Sequence, residues 1–295
     1  MVNSIYFIVN PSAGKDEPAA EMINTVFKDS GTDITIHILK ADEDPVQIAQ
    51  KAAHKAGLVA VYGGDGSVTQ VAAGLIGTTV PLAIIPGGTA NVLSKELEIP
   101  QDTEDALRFI KEGNYQLKTI DTGTVNGTPF LLRVNLGIMA EMITETDPDL
   151  KEKVGQLAYG VATVKSLINA EPVDYHLNID GQIIKATGVA LTITNAGSMG
   201  IGSLQLVSGV SVADGLLDVI LMKDVGFLSI IKATGGALFG QDTDAVQHWQ
   251  GKNITVQLPN DQVYLCDDCE ASAAELDIKI VPASLTVAIP LNDDV

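Results

Sequence analysis

Hydrophobic and polar positions in the N-terminal part of the chain follow two periods in alternation. Ile5-Tyr6-Phe7-Ile8-Val9, Leu58-Val59-Ala60-Val61-Tyr62 and Val80-Pro81-Leu82-Ala83-Ile84-Ile85 are apolar runs too short for a helix and read as buried strands. Ile34, Ile36 and Ile38 alternate with polar residues, as a strand does. Residues 18–29 carry helical spacing and stop at Gly31. Asp44-Pro45 opens a second helix, with aspartate as N-cap and proline at the first helical position, and this helix closes at Gly57. A third helix follows the glycine turn after Tyr62. The βαβαβαβ order predicts a doubly wound, mostly parallel sheet.

After a helix capped by Asp102 and ended by Gly113, the pattern changes. Residues 116–125 and 128–136 around Asn126-Gly127 predict a β-hairpin, and residues 173–179 and 183–194 around Asp180-Gly181 predict another. Between them, residues 149–170 show helical spacing, with Val154, Leu157, Ala158, Val161, Val164 and Leu167 on one face. Residues 227–239 form an apolar segment broken by Gly235-Gly236; a buried helix is its first reading and a membrane-facing one the alternative. Residues 263–266, 276–281 and 285–290 read as strands. From about residue 122 the chain is strand-rich, which predicts a second domain on antiparallel sheet.

Composition narrows the function. A formal charge of −19, with Arg108 and Arg133 the only arginines, offers no basic footprint for a nucleic acid. No apolar run approaches the roughly 18–20 residues that span a bilayer, and residues 1–9 lack the charge and length of a signal peptide. A cytoplasmic protein is expected, and Cys266-x-x-Cys269 then reads as two reduced thiols, since no further ligands complete a zinc set.

The candidate chemistry gathers where strands end. Gly63-Gly64-Asp65-Gly66-Ser67-Val68-Thr69 joins a strand to a helix, so its N–H groups and the helix dipole favour a phosphate, and Asp65 is placed to hold a metal ion. Pro86-Gly87-Gly88-Thr89-Ala90-Asn91 repeats the arrangement, with Thr89 and Asn91 as side-chain donors. Asn10-Pro11-Ser12-Ala13-Gly14-Lys15 leaves a lysine at a strand's C-terminal end, where open α/β sheets place ligands, so that a phosphate contact stands beside the plainer reading of a solvated surface lysine. Asp214, next to Gly215 within an apolar stretch, reads first as an ordinary turn, with a hard-cation ligand as the alternative. Asp267, Asp268 and Glu270 fall within four residues at a strand end; a solvated acidic turn is the first reading, and a general base, favoured by their mutual repulsion, the alternative.

These motifs, with Asn195, Gly200 and Gly202 and the Asp214-Gly215-Leu216-Leu217-Asp218 stretch, occur in the order and spacing of one family. The chain resembles the diacylglycerol kinase catalytic-domain family, especially the soluble bacterial lipid kinases, which are similar to sphingosine and ceramide kinases. The resemblance implies an α/β nucleotide-binding domain over residues 1–121, rejoined by 286–295, a β-sandwich lipid-binding domain over 122–285, and an active site between them. It implies transfer of the γ-phosphoryl of ATP to the hydroxyl of a lipid, transient contact with a membrane surface, and room for a homodimer. Carried over by position, Asn10, Gly63, Gly64, Asp65, Gly66, Ser67, Val68, Thr69, Gly88, Thr89, Asn91 and Glu270 line the nucleotide. Lys15 contacts phosphate and Asp65 organises Mg²⁺. Asp268 matches the base, and Ser211, Asp214 and Leu216 match a structural Mg²⁺ site.

The chain departs from the family at Ser67 for Thr, Thr69-Gln70 for Asn-Glu, Val92 for Asp and Cys269 for Gly. Two other readings share part of the pattern: a kinase for a water-soluble acceptor, as in NAD kinases and phosphofructokinases, and a nucleotide-gated lipid-binding protein without turnover. No residue pattern selects the acceptor among diacylglycerol, sphingoid base, monoacylglycerol and phospholipid.

Overall fold

The computed structural model describes residues 3–15, 17–140, 171–197, 207–224 and 245–291. The expected helices over 149–170 and 227–239, and the turn beyond Gly197 with Gly200 and Gly202, lie outside the described residues. The chain divides into two compact units, Met1–Ile120 with Ala283–Val295 and Asp121–Pro282.

The first unit opens with β1 (Ser4–Val9), α1 (Ala19–Phe27), β2 (Asp33–Ile38), α2 (Pro45–Ala53), β3 (Leu58–Gly63), α3 (Asp65–Ala73) and β4 (Leu82–Pro86). It continues with α4 (Val92–Glu96), α5 (Thr103–Glu112) and the start of β5 (Tyr115–Val125). β1 lies between β2 and β3, all parallel, and β3 pairs in parallel with β4. The parallel sheet expected from the apolar runs is therefore present, in the order β4-β3-β1-β2.

Alternate residues of β1, Ile5, Phe7 and Val9, face α1 and α5 with Leu58, Ala60 and Tyr62 of β3. Phe7 meets Phe27 of α1 edge to face at 5.2 Å. Asp44 caps α2 by accepting from the Val46 N–H, and Asp102 caps α5 by accepting from Glu104 and Asp105, as their positions before the helical runs predict. Gly74 lets α3 lie against α2, because a Cβ there would stand 2.4 Å from the Val46 carbonyl oxygen.

The second unit takes in the end of β5, then β6 (Thr128–Phe130), β7 (Arg133–Gly137), β8 (Val173–Ile179), β9 (Gln182–Gly188) and β10 (Ala190–Thr194). β11 (Leu217–Met222), β12 (Val246–Gly251), β13 (Asn253–Cys266) and most of β14 (Cys269–Pro290) follow. Neighbouring strands here are antiparallel: β7 pairs with β10 and β13, β11 with β10 and β12, and β13 with β8 and β14. Inward residues including Val134, Leu136, Leu177, Leu191, Ile193, Val219, Ile254, Val256 and Ile278 make one apolar cluster. The α/β unit followed by a largely β unit is the expected fold class.

Both predicted hairpin turns form, with Asn126 and Asp180 at positive φ ahead of Gly127 and Gly181. Three strand expectations change in detail. The run over 128–136 breaks into β6 and β7, because the N–H groups of Leu131 and Leu132 turn to the Asp267 carboxylate. The run over 183–194 breaks at Val189, so that β9 pairs with β8 while β10 pairs with β7 and β11. The two last strands are one, β14, with Ala283 at φ +47 where the chain leaves the second unit.

Candidate active site

β1, β3 and β4 are neighbours and run the same way, so the loops that follow them share one end of the sheet. Hydrogen bonds tie the three loops together. The Asn10 N–H donates to the Tyr62 carbonyl, the Gly87 N–H to the Gly63 carbonyl and the Lys15 N–H to the Gly87 carbonyl. Asn10 Nδ2 donates to Ser67 Oγ at 2.8 Å. The glycines serve this interlocking: a Cβ on Gly88 would stand 2.5 Å from Gly64 Cα, and one on Gly63 would stand 2.5 Å from Ser67 Cβ. Glycine is needed here for close approach of backbone to backbone.

Asp65 occupies the first turn of α3, where a carboxylate complements the helix dipole, and its Oδ1 accepts from the Val92 N–H at 2.6 Å. The bond joins the starts of α3 and α4. Val92 stands where the family commonly has aspartate; its main chain supplies the link and its side chain is buried. Asn91 adopts the left-handed conformation at φ +49, which asparagine tolerates. Its side chain bonds the N–H and carbonyl of Gly88, which closes the second glycine loop. Thr89 is exposed, with Oγ1 at 3.4 Å from where a Gly14 Cβ would be.

Helix geometry leaves the Gly66 and Ser67 N–H groups without an intrahelical acceptor, which suits them to an anion. Val68 differs: its N–H bonds the Gly64 carbonyl and its side chain is buried. Thr69 is half-buried within α3. Lys15 Nζ donates to the Gln101 carbonyl at 2.8 Å and lies 3.4 Å from Thr103 Oγ1, which donates to Glu17. Burial, reinforced by the Glu17 carboxylate, pushes the Tyr62 phenol in this network up to about 12. The ammonium thus anchors the first loop to the start of α5.

In the second unit, Asp267 and Asp268 form the tip of the β13–β14 hairpin, between the paired residues Cys266 and Cys269. The expected acidic group separates at this tip. Asp267 is buried and accepts from the N–H groups of Leu131, Leu132 and Arg133 at 2.8, 3.0 and 2.8 Å, while Asp268, Cys269 and Glu270 are exposed. Both cysteines are free thiols, and burial pushes Cys266 up to about 12. Cys269 has no positive φ, so the turn's left-handed residue is Asp267 and the missing glycine imposes no strain at residue 269. The run of charges marked this turn in the sequence but did not distinguish its two aspartates. Their one clue is that aspartate tolerates the left-handed position of a two-residue turn.

Asp214 Oδ1 accepts from the Leu216 N–H at 3.0 Å, and Ser211 Oγ accepts from the Ala213 N–H at 3.3 Å. Partial burial, and then the Asp218 and Asp121 carboxylates, push the Asp214 carboxyl above its ordinary value, against a downward pull from the Leu216 N–H. Asp121 Oδ2 accepts from the Gly215 N–H at 2.7 Å. Asp218 is fully buried; its Oδ1 bonds His248 Nε2 at 2.6 Å and Gln250 Nε2 at 3.0 Å. Its Oδ2 has no hydrogen-bond partner among the described residues. His248 and Gln250 come from β12, which carries no clear pattern in the sequence. Crowded carboxylates and an orphaned buried oxygen suit a cation here, although no three ligating side chains converge to hold one among the described residues. A bound ion would lean on main-chain carbonyls and water.

Residues 4–125 match the diacylglycerol kinase catalytic domain, and residues 133–289 match the YegS C-terminal NAD kinase beta sandwich-like domain. A diacylglycerol kinase of Bacillus subtilis is 28% identical over 241 residues, covering 79% of this chain and 78% of that protein. An uncharacterized protein of Synechocystis is 32% identical over 237 residues, which cover 78% of this chain and 54% of its own length. A crystal structure of a protein from Bacillus anthracis superposes with a TM-score of 0.85 at 27% identity, over 100% of this chain and 97% of that one. The chain belongs to the diacylglycerol kinase catalytic-domain family of YegS-like lipid kinases. Among the described residues no helix is long and apolar enough to cross a membrane.

Proposed function

We propose that this protein transfers the γ-phosphoryl group of ATP to a hydroxyl of a lipid. The observation that carries the reading is the trio of loops after β1, β3 and β4, hydrogen-bonded to one another and to the start of α3. Phosphoryl transfer is mostly positioning and charge neutralisation, so a preformed cradle of main-chain donors supplies a large share of catalysis. In this reading Gly63, Gly64, Gly66, Ser67 and Thr69 carry the triphosphate, with Asn10, Gly88, Thr89 and Asn91 holding the cradle's shape and edge. Val68 contributes by packing α3. Lys15 adds positive charge and fixes the first loop through Gln101 and Thr103.

Asp65 is the residue that would hold a catalytic Mg²⁺; Ser211, Asp214 and Leu216 would hold a structural one. Bound Mg²⁺ supplies positive charge against the triphosphate. Asp268, exposed at its turn, accepts the proton of the lipid hydroxyl, and Glu270, also exposed, follows two residues on in β14. The charge of −19 favours an acceptor with a neutral head group and a free hydroxyl, because it repels an anionic one. This reading involves no nucleic acid.

The test is transfer of labelled γ-phosphate from ATP with Mg²⁺ to a mixed lipid extract in micelles, beside Asp268→Asn. We expect one labelled lipid class from the wild type, and turnover at least ~100-fold lower in the variant with ATP affinity nearly intact. Label in a water-soluble acceptor, or ATP binding with no transfer at all, overturns the lipid-kinase reading. Unchanged turnover in Asp268→Asn removes the base.

A further inference from the structure

The β13–β14 turn holds two adjacent aspartates in opposite situations. Asp268 is exposed, whereas Asp267 is buried and its carboxylate sits across the N–H groups of three successive residues. Oδ2 accepts from Leu131; Oδ1 accepts from Leu132 and Arg133. The Asp267 N–H donates in return to the Arg133 carbonyl at 2.9 Å. Consecutive main-chain donors around one carboxylate form an anion nest, and bonds to a charged acceptor are about twice as strong as neutral ones.

This clamp has local costs. Leu131 and Leu132 leave the strand ladder, which splits β6 from β7, and Asp267 takes φ +50, outside the usual range of a residue with a Cβ. Local pairing preferences alone would continue the strand. What the clamp secures is the direction of the next residue, one peptide unit or about 3.8 Å along the chain. A hairpin tip is ordinarily among the most mobile parts of a fold, and a general base must stay within hydrogen-bond reach of its proton. We propose that Asp267 is a positioning residue whose carboxylate, seated on the N–H groups of residues 131–133, holds Asp268 in its reacting orientation. The proposal rests on the reading of Asp268 as the base.

Asp180 provides a control of the same turn type in the same unit, exposed where Asp267 is buried. It too is a left-handed aspartate in a two-residue hairpin turn, and it accepts from the Lys252 and Asn253 N–H groups. It has no part in the proposed chemistry. Asp267→Ala should lower kcat at least ~10-fold with KM for ATP within about twofold, because positioning acts on the chemical step. Asp180→Ala should lower thermal stability, by less because Asp180 is exposed, and keep kcat. Asp267→Asn retains the Oδ1 acceptor for Leu132 and Arg133 and tolerates φ +50 but sets its Nδ2 against the Leu131 N–H, so it should recover part of kcat; it also serves if the alanine variant fails to fold.

Hydrogen exchange separates this proposal from the assignment beneath it. Amides 131–133 should lose protection in Asp267→Ala and keep it in Asp268→Asn. Unchanged protection or unchanged kcat in folded Asp267→Ala overturns the clamp and leaves the base standing. So does an equal loss of kcat in Asp180→Ala. Full activity in Asp268→Asn overturns the base and the positioning role with it, even where the exchange result is as expected.

Discussion

One side-chain type serves three different ends here, and its neighbours decide which. Asp65 accepts the Val92 N–H and ties two helix starts together; Asp267 accepts from the N–H groups of residues 131–133 and closes a turn; Asp214 accepts the Leu216 N–H while facing two other carboxylates. The last case has a consequence for stability. Raising a carboxyl's folded value above its unfolded one means that the ionised form weighs against folding, so stability falls as pH rises through the folded value. At neutral pH with chelator, Asp214→Asn should therefore melt higher than the wild type. The difference should vanish below the ordinary carboxylate range, where both are neutral. With Mg²⁺ the order should reverse, because an ion that binds only the folded state stabilises the wild type alone. Thermal melts at several pH values with and without Mg²⁺ check this; a lower Tm for Asp214→Asn in chelator would show that its bond to the Leu216 N–H outweighs the repulsion.

At the scale of elements, glycine loops matter through contact with one another. An alanine at Gly88 would put a Cβ at 2.5 Å from Gly64 Cα and 2.9 Å from Asn91 Oδ1, so the loops after β3 and β4 would have to separate. Overpacking of this kind costs about 1–3 kcal/mol. Gly88→Ala should lower Tm and weaken ATP binding at least ~10-fold if the loops form the cradle. Gly127→Ala is the comparison: at φ +84 with nothing within 4 Å, it should lower Tm and leave ATP binding alone. Equal ATP affinity in both variants would detach the cradle from nucleotide binding, and titration calorimetry reads it directly. The loops were legible in the sequence because each follows an unbroken apolar strand and opens a helix. The Asn126-Gly127 and Asp180-Gly181 turns were legible from their dipeptides. The break at Leu131, the seat of Lys15 on Gln101 and the approach of His248 to Asp218 were not, because each depends on a partner far along the chain. Adjacent aspartates such as Asp267 and Asp268 look alike in any local pattern; only the fold sends one inward.

For the whole molecule, acidic residues outnumber basic ones 37 to 18, so an anionic surface repels the protein at distances where its net charge is felt. The proposed reaction turns a neutral lipid into a phosphorylated one and makes the membrane it acts on more negative. Product accumulation should then reduce re-association without any regulatory site. The measurement is the initial rate on vesicles of neutral phospholipid containing the acceptor, compared with vesicles in which about a third of the phospholipid is anionic. The rate should be severalfold lower on the anionic vesicles at low salt. Raising ionic strength toward 1 M shortens the Debye length from about 10 Å at 0.1 M to about 3 Å and should close most of that gap. Rates on neutral vesicles should change little over the same range, because apolar contact is not screened. A faster rate on anionic vesicles that salt abolishes would mean that a local group of lysines, and not the net charge, meets the membrane, since lysines near an anionic surface each attract by about 1 kcal/mol.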